Sequence, residues 1–286
     1  MLRRCVVVAA VACLAILLPV WAGDGVIEIN QAKAQAGGVT AGDTPGFPVR
    51  IGAAGSYRLT GNLDVPADTD GIVLISDNVR LDLGGFTIAS AGGVSLSARG
   101  VEGPNRKNIA VRNGIIRDFP GQGVYGQFSS IVATDLVIVN NGDDGLNVGA
   151  NSIIRNCVVV DSGDHGVLVM GPSLVVNTIS RGSDGSGFFL LSSAGITIKD
   201  CVASNNGYGI YAFSAEGNRI ESNHVLHNTI DGIRVVTSGN VVIKNTAGGN
   251  GTDFNIIGAG NFVGTIVSTE ANMNSATNGL VNIIAF

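Results

Sequence analysis

The sequence predicts an all-β chain wound as a parallel β-helix solenoid of about eight to ten laps, about 22 residues per lap, behind a short N-terminal capping helix. Three observations carry this. A polar residue, a Gly and an apolar residue recur as RGV, QGV, DGL, HGV, SGF, YGI and DGI, with glycines at Gly100, Gly123, Gly145, Gly166, Gly187, Gly209 and Gly232. The steps between them are 23, 22, 21, 21, 22 and 23 residues, and seven units in near-register mark a stacked repeat. Past residue 40 the apolar residues fall in short Val-, Ile- and Thr-rich runs, with no sustained helical periodicity.

The elements follow in chain order. Residues 1–22 read as a secretory signal: Arg3 and Arg4, an apolar run from Cys5 to Val20, and Val-Trp-Ala before Gly23. The rival reading is a retained membrane anchor; Pro19 and the small Ala22 favour cleavage. Residues 23–50 form an N-terminal cap, with Asn30 to Ala36 a short helix that starts on an Asn N-cap and stops at Gly37 and Gly38. Residues 51–265 form the β-helix, and residues 266–286 a C-terminal cap, which keeps strand edges from being left open.

Within a lap, the repeat Gly precedes an apolar/any/apolar triplet, a polar turn, a β-branched run, an Asn or Asp, and a second β-branched run. The Asn/Asp series is Asn113, Asp135, Asn156, Asn177, Asp200, Asn223 and Asn245. Asn, Asp and Gly tolerate left-handed bends, and stacked Asn side chains can bond along the stack. Cys157 and Cys201 each follow a member of this series, with Thr178 at the same place in the lap between. Positions two laps apart lie ~9.6 Å apart, beyond disulfide reach, so both are expected as packed thiols.

Laps of this length with an Asn bend resemble the right-handed β-helices of pectate lyases, polygalacturonases, alginate epimerases and phage tailspikes, over residues 50 to 265. The resemblance implies a right-handed coil and places a substrate groove along the strand after the repeat Gly. Strand alternation turns the middle residue of each triplet outward: Glu102, Tyr125, Asn147, Leu168, Phe189, Tyr211 and Arg234. Tyr125, Asn147, Phe189, Tyr211 and Arg234 are the candidate substrate-binding residues, because aromatic rings stack on sugars and Arg pairs with a carboxylate. Leu168 with Phe189 would also suit a protein contact.

The turn before that strand carries the chemistry. Asp143-Asp144 and, one lap on, Asp164-His165-Gly166 resemble in placement the acid pair and Gly-His-Gly of polygalacturonase-like enzymes. Asp144, Asp164 and His165 are therefore the candidate catalytic residues, with Asp144 a general acid and His165 a base. Two departures count against hydrolysis: the third acid of that family falls at Gln122, and its Arg-x-Lys motif has only an echo at Thr197-Ile198-Lys199. A lyase would place Ca²⁺ on Asp143, Asp144 and Asp164, whereas Arg234 lies three laps from His165, and the Asp-Pro-His-Asp motif of alginate epimerases is absent. The competing reading is that these are corners, since Asp184 and Asp231 occupy similar turns without a histidine. His224 and His227 lie away from the groove strand and read as structural.

Without Arg3 and Arg4 the chain carries 15 basic and 22 acidic side chains, a net charge of −7, which argues against a nucleic-acid partner. Zinc spacing, phosphate-binding Gly loops and a nucleophile elbow are absent. The sequence thus points to a secreted, periplasmic or cell-envelope protein that binds an extracellular polysaccharide, such as a polyuronide. No cofactor is expected, unless the chain is a lyase using Ca²⁺. Two alternatives stand beside it: an active polysaccharide lyase or glycoside hydrolase on the same face, and a structural envelope protein without a glycan.

Overall fold

A computed structural model describes residues 25–191, 194–214, 216–268 and 279–284; the secretory-signal segment lies outside them. Ten short parallel strands stack as the first face: Val49–Ile51, Ile72–Leu74, Val101–Glu102, Val124–Gly126, Leu146–Val148, Val167–Val169, Ser186–Leu190, Tyr208–Ala212, Asp231–Val235 and Thr252–Ile256. Ten laps result. The remaining strands form one hydrogen-bonded sheet, because Ile109–Arg117 and Ile131–Asn141 run unbroken through a bend. Geometrically that sheet is two faces. The second holds Gly55–Leu59, Val79–Asp82, Ile153–Arg155, Ser173–Val176 and Ile196–Lys199. The third holds Leu63–Val65, Thr87–Ser90, Val158–Ser162, Ile179–Arg181 and Val202–Ser204.

The core is the inside of the coil. Strand alternation sends one residue in two inward, and equivalent residues stack lap on lap. Leu146, Val167, Phe188, Ile210 and Ile233 fill it from the first face, Ile154, Val175, Ile198 and Ile220 from the second, and Val159, Ala203 and Val225 from the third; all are fully buried.

The repeat glycines owe their place to crowding rather than to backbone sign. None has a positive φ. A Cβ on Gly145 would lie 2.7 Å from the carbonyl oxygen of Gly166, and one on Gly166 would lie 2.8 Å from that of Gly187. Neighbouring laps pass too closely for any side chain.

The left-handed bend is made by Asn113, Asp135, Asn156, Asn177, Asp200, Ser222 and Lys244, with φ from 49° to 59°. This corrects the expected series at its end. Asn223 and Asn245 sit one residue later and point inward, stacked with Cys157, Thr178 and Cys201. The Asn223 side-chain oxygen accepts the Cys201 N–H at 3.0 Å, the Asn245 oxygen accepts both the N–H and the amide of Asn223 at 3.0 Å, and the Asn282 oxygen accepts the Asn245 N–H at 3.0 Å. Two further inward ladders, Asn206–Asn228–Asn250 and Asn218–Asn240–Asn261, repeat the pattern at the other bends. Each amide satisfies backbone groups that the bend would otherwise leave buried and unpaired.

Cys157 and Cys201 are free and buried. Burial pushes their thiols up, to about 11 and about 12. At the N-terminal end Gln31–Ala36 is helical, the Asn30 side chain accepts the Lys33 N–H, and Ala34 joins the core. Among the described residues no helix is long and apolar enough to cross a membrane.

Candidate functional site

The turn that leads into the first face puts Gln122, Asp144 and His165 on consecutive laps, since each precedes a repeat Gly. Oxygens of Asp144 and Asp164 and a ring nitrogen of His165 all lie within 4.8 Å of one another. The three side chains therefore converge. Asp144 is 3% exposed. One of its oxygens accepts the Asn147 amide at 2.8 Å and the other accepts the His165 N–H at 3.2 Å. Burial, and next the charge of Asp143, raise its carboxyl from the usual 3.8 to about 7. Burial outweighs the crowding of carboxylates as the cause.

His165 is held differently from a free base. Its Nδ1 accepts the Ser186 N–H at 2.9 Å and lies 3.4 Å from an Asp164 oxygen. Burial lowers its pKa, against the opposing charges of Asp164 and Asp143. A neutral ring with Nδ1 occupied as an acceptor carries its proton on Nε2, so the ring is a donor at that edge.

Gly185, on the following lap, makes the room. A Cβ there would sit 2.5 Å from an Asp164 oxygen and 2.6 Å from His165 Nδ1. Upstream, the Gln122 amide donates to Asp143, and Arg99 Nε donates to the Gln122 oxygen at 2.6 Å. Arg99 also pairs with Glu102 at 3.1 Å and lies 3.9 Å above the Tyr125 ring. The position lacking a third acid is thus a relay that anchors Asp143.

The outward stripe is in register: Glu102, Tyr125, Asn147, Leu168, Phe189, Tyr211 and Arg234 pair directly, lap to lap. Asn147 and Leu168 face outward yet are almost covered, at 7% and 9% exposed. The rings beyond them form one platform. His165 stacks on Phe189 at 4.2 Å, and Phe189 meets Tyr211 edge-on at 5.4 Å. Arg234 pairs with Asp231 at 3.1 Å and sits above Tyr211 at 5.3 Å and Tyr208 at 5.6 Å. Its charge is already shared with a buried carboxylate.

Sequence reasoning missed two platform members. Tyr208 lies 4.8 Å from Tyr211, and Phe213 lies 5.5 Å from Tyr211 and 5.8 Å from Phe189. Tyr208 occupies the same place in its lap as Asp144 and His165, a signal the segment YGIYAF carried. As cation ligands, the carboxylates of Asp144 and Asp164 are hard oxygen donors, and the buried Asn147 Oδ1, which has no partner, is a third; His165 Nδ1 is occupied. This fits an oxygen-preferring ion on the carboxylates and not on the imidazole.

Residues 171–281 match the family described as right handed beta helix region, and the coil shares its fold with known β-helices. Pectate lyase Pel9A aligns with a TM-score of 0.56 at 13% identity, over 81% of this chain and 69% of that one. A variant of the periplasmic alginate epimerase AlgG aligns at 0.55 and 11% identity, over 82% and 69%. The A-module of the Azotobacter vinelandii mannuronan C-5 epimerase AlgE4 aligns at 0.50 and 14% identity, over 92% and 87%. No curated protein matches the sequence.

Proposed function

We propose that the chain binds an extracellular polysaccharide along the first face, with the aromatic platform as floor and the Asp144–Asp164–His165 cluster at its edge. The observation that carries this is the registration of the two: the ring that stacks on Phe189 is itself a member of the cluster. Aromatic faces offer the apolar patches of a pyranose a flat partner, and flanking carboxyl and amide groups offer hydroxyls their hydrogen bonds. The fold-mates named above include a pectate lyase, a periplasmic alginate epimerase and a mannuronan C-5 epimerase, which supports a polyuronide as the first ligand to try, and a secreted or envelope location. A glycan array probed with the protein tests the reading. Binding to one anionic or neutral polysaccharide class, weakened in Tyr211→Ala, is expected; no binding above background to any glycan would defeat it and leave a structural role.

A second reading, that the bound chain is also processed, rests on the Asp144 carboxyl. A group held near pH 7 can donate a proton at neutral pH, and Nε2–H of His165 can donate beside it. In the lyase form of this reading, Ca²⁺ on Asp144 and Asp164 would neutralise a uronate. Assay against a panel of polysaccharides, with and without added Ca²⁺, separates processing from binding.

A further inference from the structure

The second face carries a feature that the first-face reading does not use. Its outward positions run Arg58, Asp82, Arg112, Thr134 and Arg155 in one column, lap to lap. The neighbouring column runs Ser56, Arg80, Ala110, Val132 and Ile153. Small side chains at Ser56 and Ala110 leave Arg80 between two gaps, and the surface dips. A cavity of about 350 Å³ is bordered by Arg58, Arg80, Asp82, Arg112, Thr134 and Arg155. A second of about 680 Å³ continues it past Asn78 and Asn108, sharing Ser56, Arg80, Ala110 and Val132. Together they form a trough along the stacking direction.

The charge of this trough opposes that of the molecule. Four guanidiniums and a single carboxylate, Asp82, line the first cavity, and Asp82 lies 3.0 Å from Arg112 and 3.9 Å from Arg58. Glu28 lies beside Arg58 on the adjoining strand. Arg80 and Arg155 have no carboxylate partner among the described residues, and both are exposed. A surplus of cations is thus concentrated on one face of a chain with formal net charge −5.

We propose that this trough is a second binding site, for an extended anionic polysaccharide running along the helix axis. In the first column Arg58, Arg112 and Arg155 recur at every second lap, about 9.6 Å apart for strands ~4.8 Å apart. A linear chain of charged sugars that alternate in facing presents one anionic group per pair of sugars to such a row. Guanidinium forks match carboxylate and sulfate alike. A compact anion would engage only neighbouring arginines, and a flat lipid surface would not reach the floor of a trough. The proposal does not depend on the first-face reading.

Calorimetric titration of the protein with an oligouronate, a sulfated oligosaccharide of equal length and a neutral glucan oligomer tests it. The arginine variant is R80E/R155E, made in the parent and in a Tyr211→Ala background, with thermal melting checked for each and R80Q/R155Q used if the charge reversal alters the melt. The expected result is affinity for at least one anionic oligosaccharide that drops at least about tenfold, or ~1.4 kcal/mol, in the Arg80/Arg155 variant. That binding should weaken with added salt, and the same drop should follow when the arginines are changed in a Tyr211→Ala background, where the first face no longer contributes. Preference between carboxylate and sulfate names the source of the charge. Unchanged affinity for both anionic oligosaccharides in the arginine variant overturns the proposal. So does failure to bind either, whether or not phosphatidylserine vesicles are captured through the same arginines.

Discussion

The imidazole of His165 lies on the ring of Phe189, one lap away, with centroids 4.2 Å apart and planes 19° from parallel. The contact joins the cluster in the turn to the platform on the strand, so removing the ring disturbs both. Phe189→Ala should weaken binding of the glycan by about fivefold or more, since a stacked aromatic is worth ~1 kcal/mol beyond its buried area. Tyr211→Ala should weaken it similarly without moving His165. Calorimetry on both variants checks the pair, and equal affinity to the parent in both would detach the platform from glycan binding.

Asp144→Asn separates chemistry from architecture. The new amide keeps one acceptor for the His165 N–H, and a flip of the Asn147 amide presents its unpartnered Oδ1 to the new donor. The fold should therefore survive, while any cleavage that needs the Asp144 proton should vanish. A variant as active as the parent in a protein that does cleave would reduce the turn to a corner.

The same substitution should reshape stability against pH. The native Asp144 carboxyl titrates near 7 and its ordinary value is 3.8, so the folded state holds the proton more tightly than the unfolded chain. The stability linked to that proton is fully present below pH ~4 and is lost as pH rises through ~7. The full difference is roughly 4 kcal/mol at 1.36 kcal/mol per pH unit. Thermal melts at acid and alkaline pH should show Asp144→Asn gaining on the parent as pH rises. Parallel profiles would mean that the carboxyl is not held protonated.

Gly185→Ala and Gly145→Ala test two kinds of crowding. The first drives a methyl into Asp164 and His165 side chains, which can turn away; the second drives it 2.3 Å from Val159 Cγ1 and 2.7 Å from the backbone of the next lap. Overpacking of this kind costs ~1–3 kcal/mol. Gly145→Ala should lower the melting temperature the more, whereas Gly185→Ala should chiefly impair binding or activity at the cluster. The reverse ranking would place the cluster side chains under a rigid roof.

The thiols give a count. In a chain starting at residue 23, titration after unfolding without reductant should find two free groups, Cys157 and Cys201, and the folded protein should react slowly because burial holds both near 11 to 12. Zero free groups in a monomer would contradict their separation by the Thr178 lap.

The coil was legible because a glycine recurs at one crowded corner of successive laps, where a Cβ at Gly145 or Gly166 would run into the backbone of the next lap. The bend was legible only in part. Asn serves equally at the left-handed position and at the inward one beside it, so when Ser222 and Lys244 took the first and Asn223 and Asn245 the second, the letters alone followed the Asn across. The cluster was legible as a pairing of acids with histidine, because lap length sets which turns adjoin. Its electrostatics were not: that Asp144 is 3% exposed, and that Ser186 occupies His165 Nδ1, depend on neighbours from three different laps. The Arg80 trough escaped for a similar reason, since its arginines are 22 to 43 residues apart and belong to two columns.

Because every lap repeats the one below in register, the first face works as a graduated ruler. His165 and Arg234 stand three marks apart, about 14 Å at ~4.8 Å per mark. Inserting or deleting one complete lap between them would slide the two marks along the scale without turning either toward a different side. The length of chain such a protein accommodates can therefore be reset by whole units, with the local chemistry at each mark left as it was.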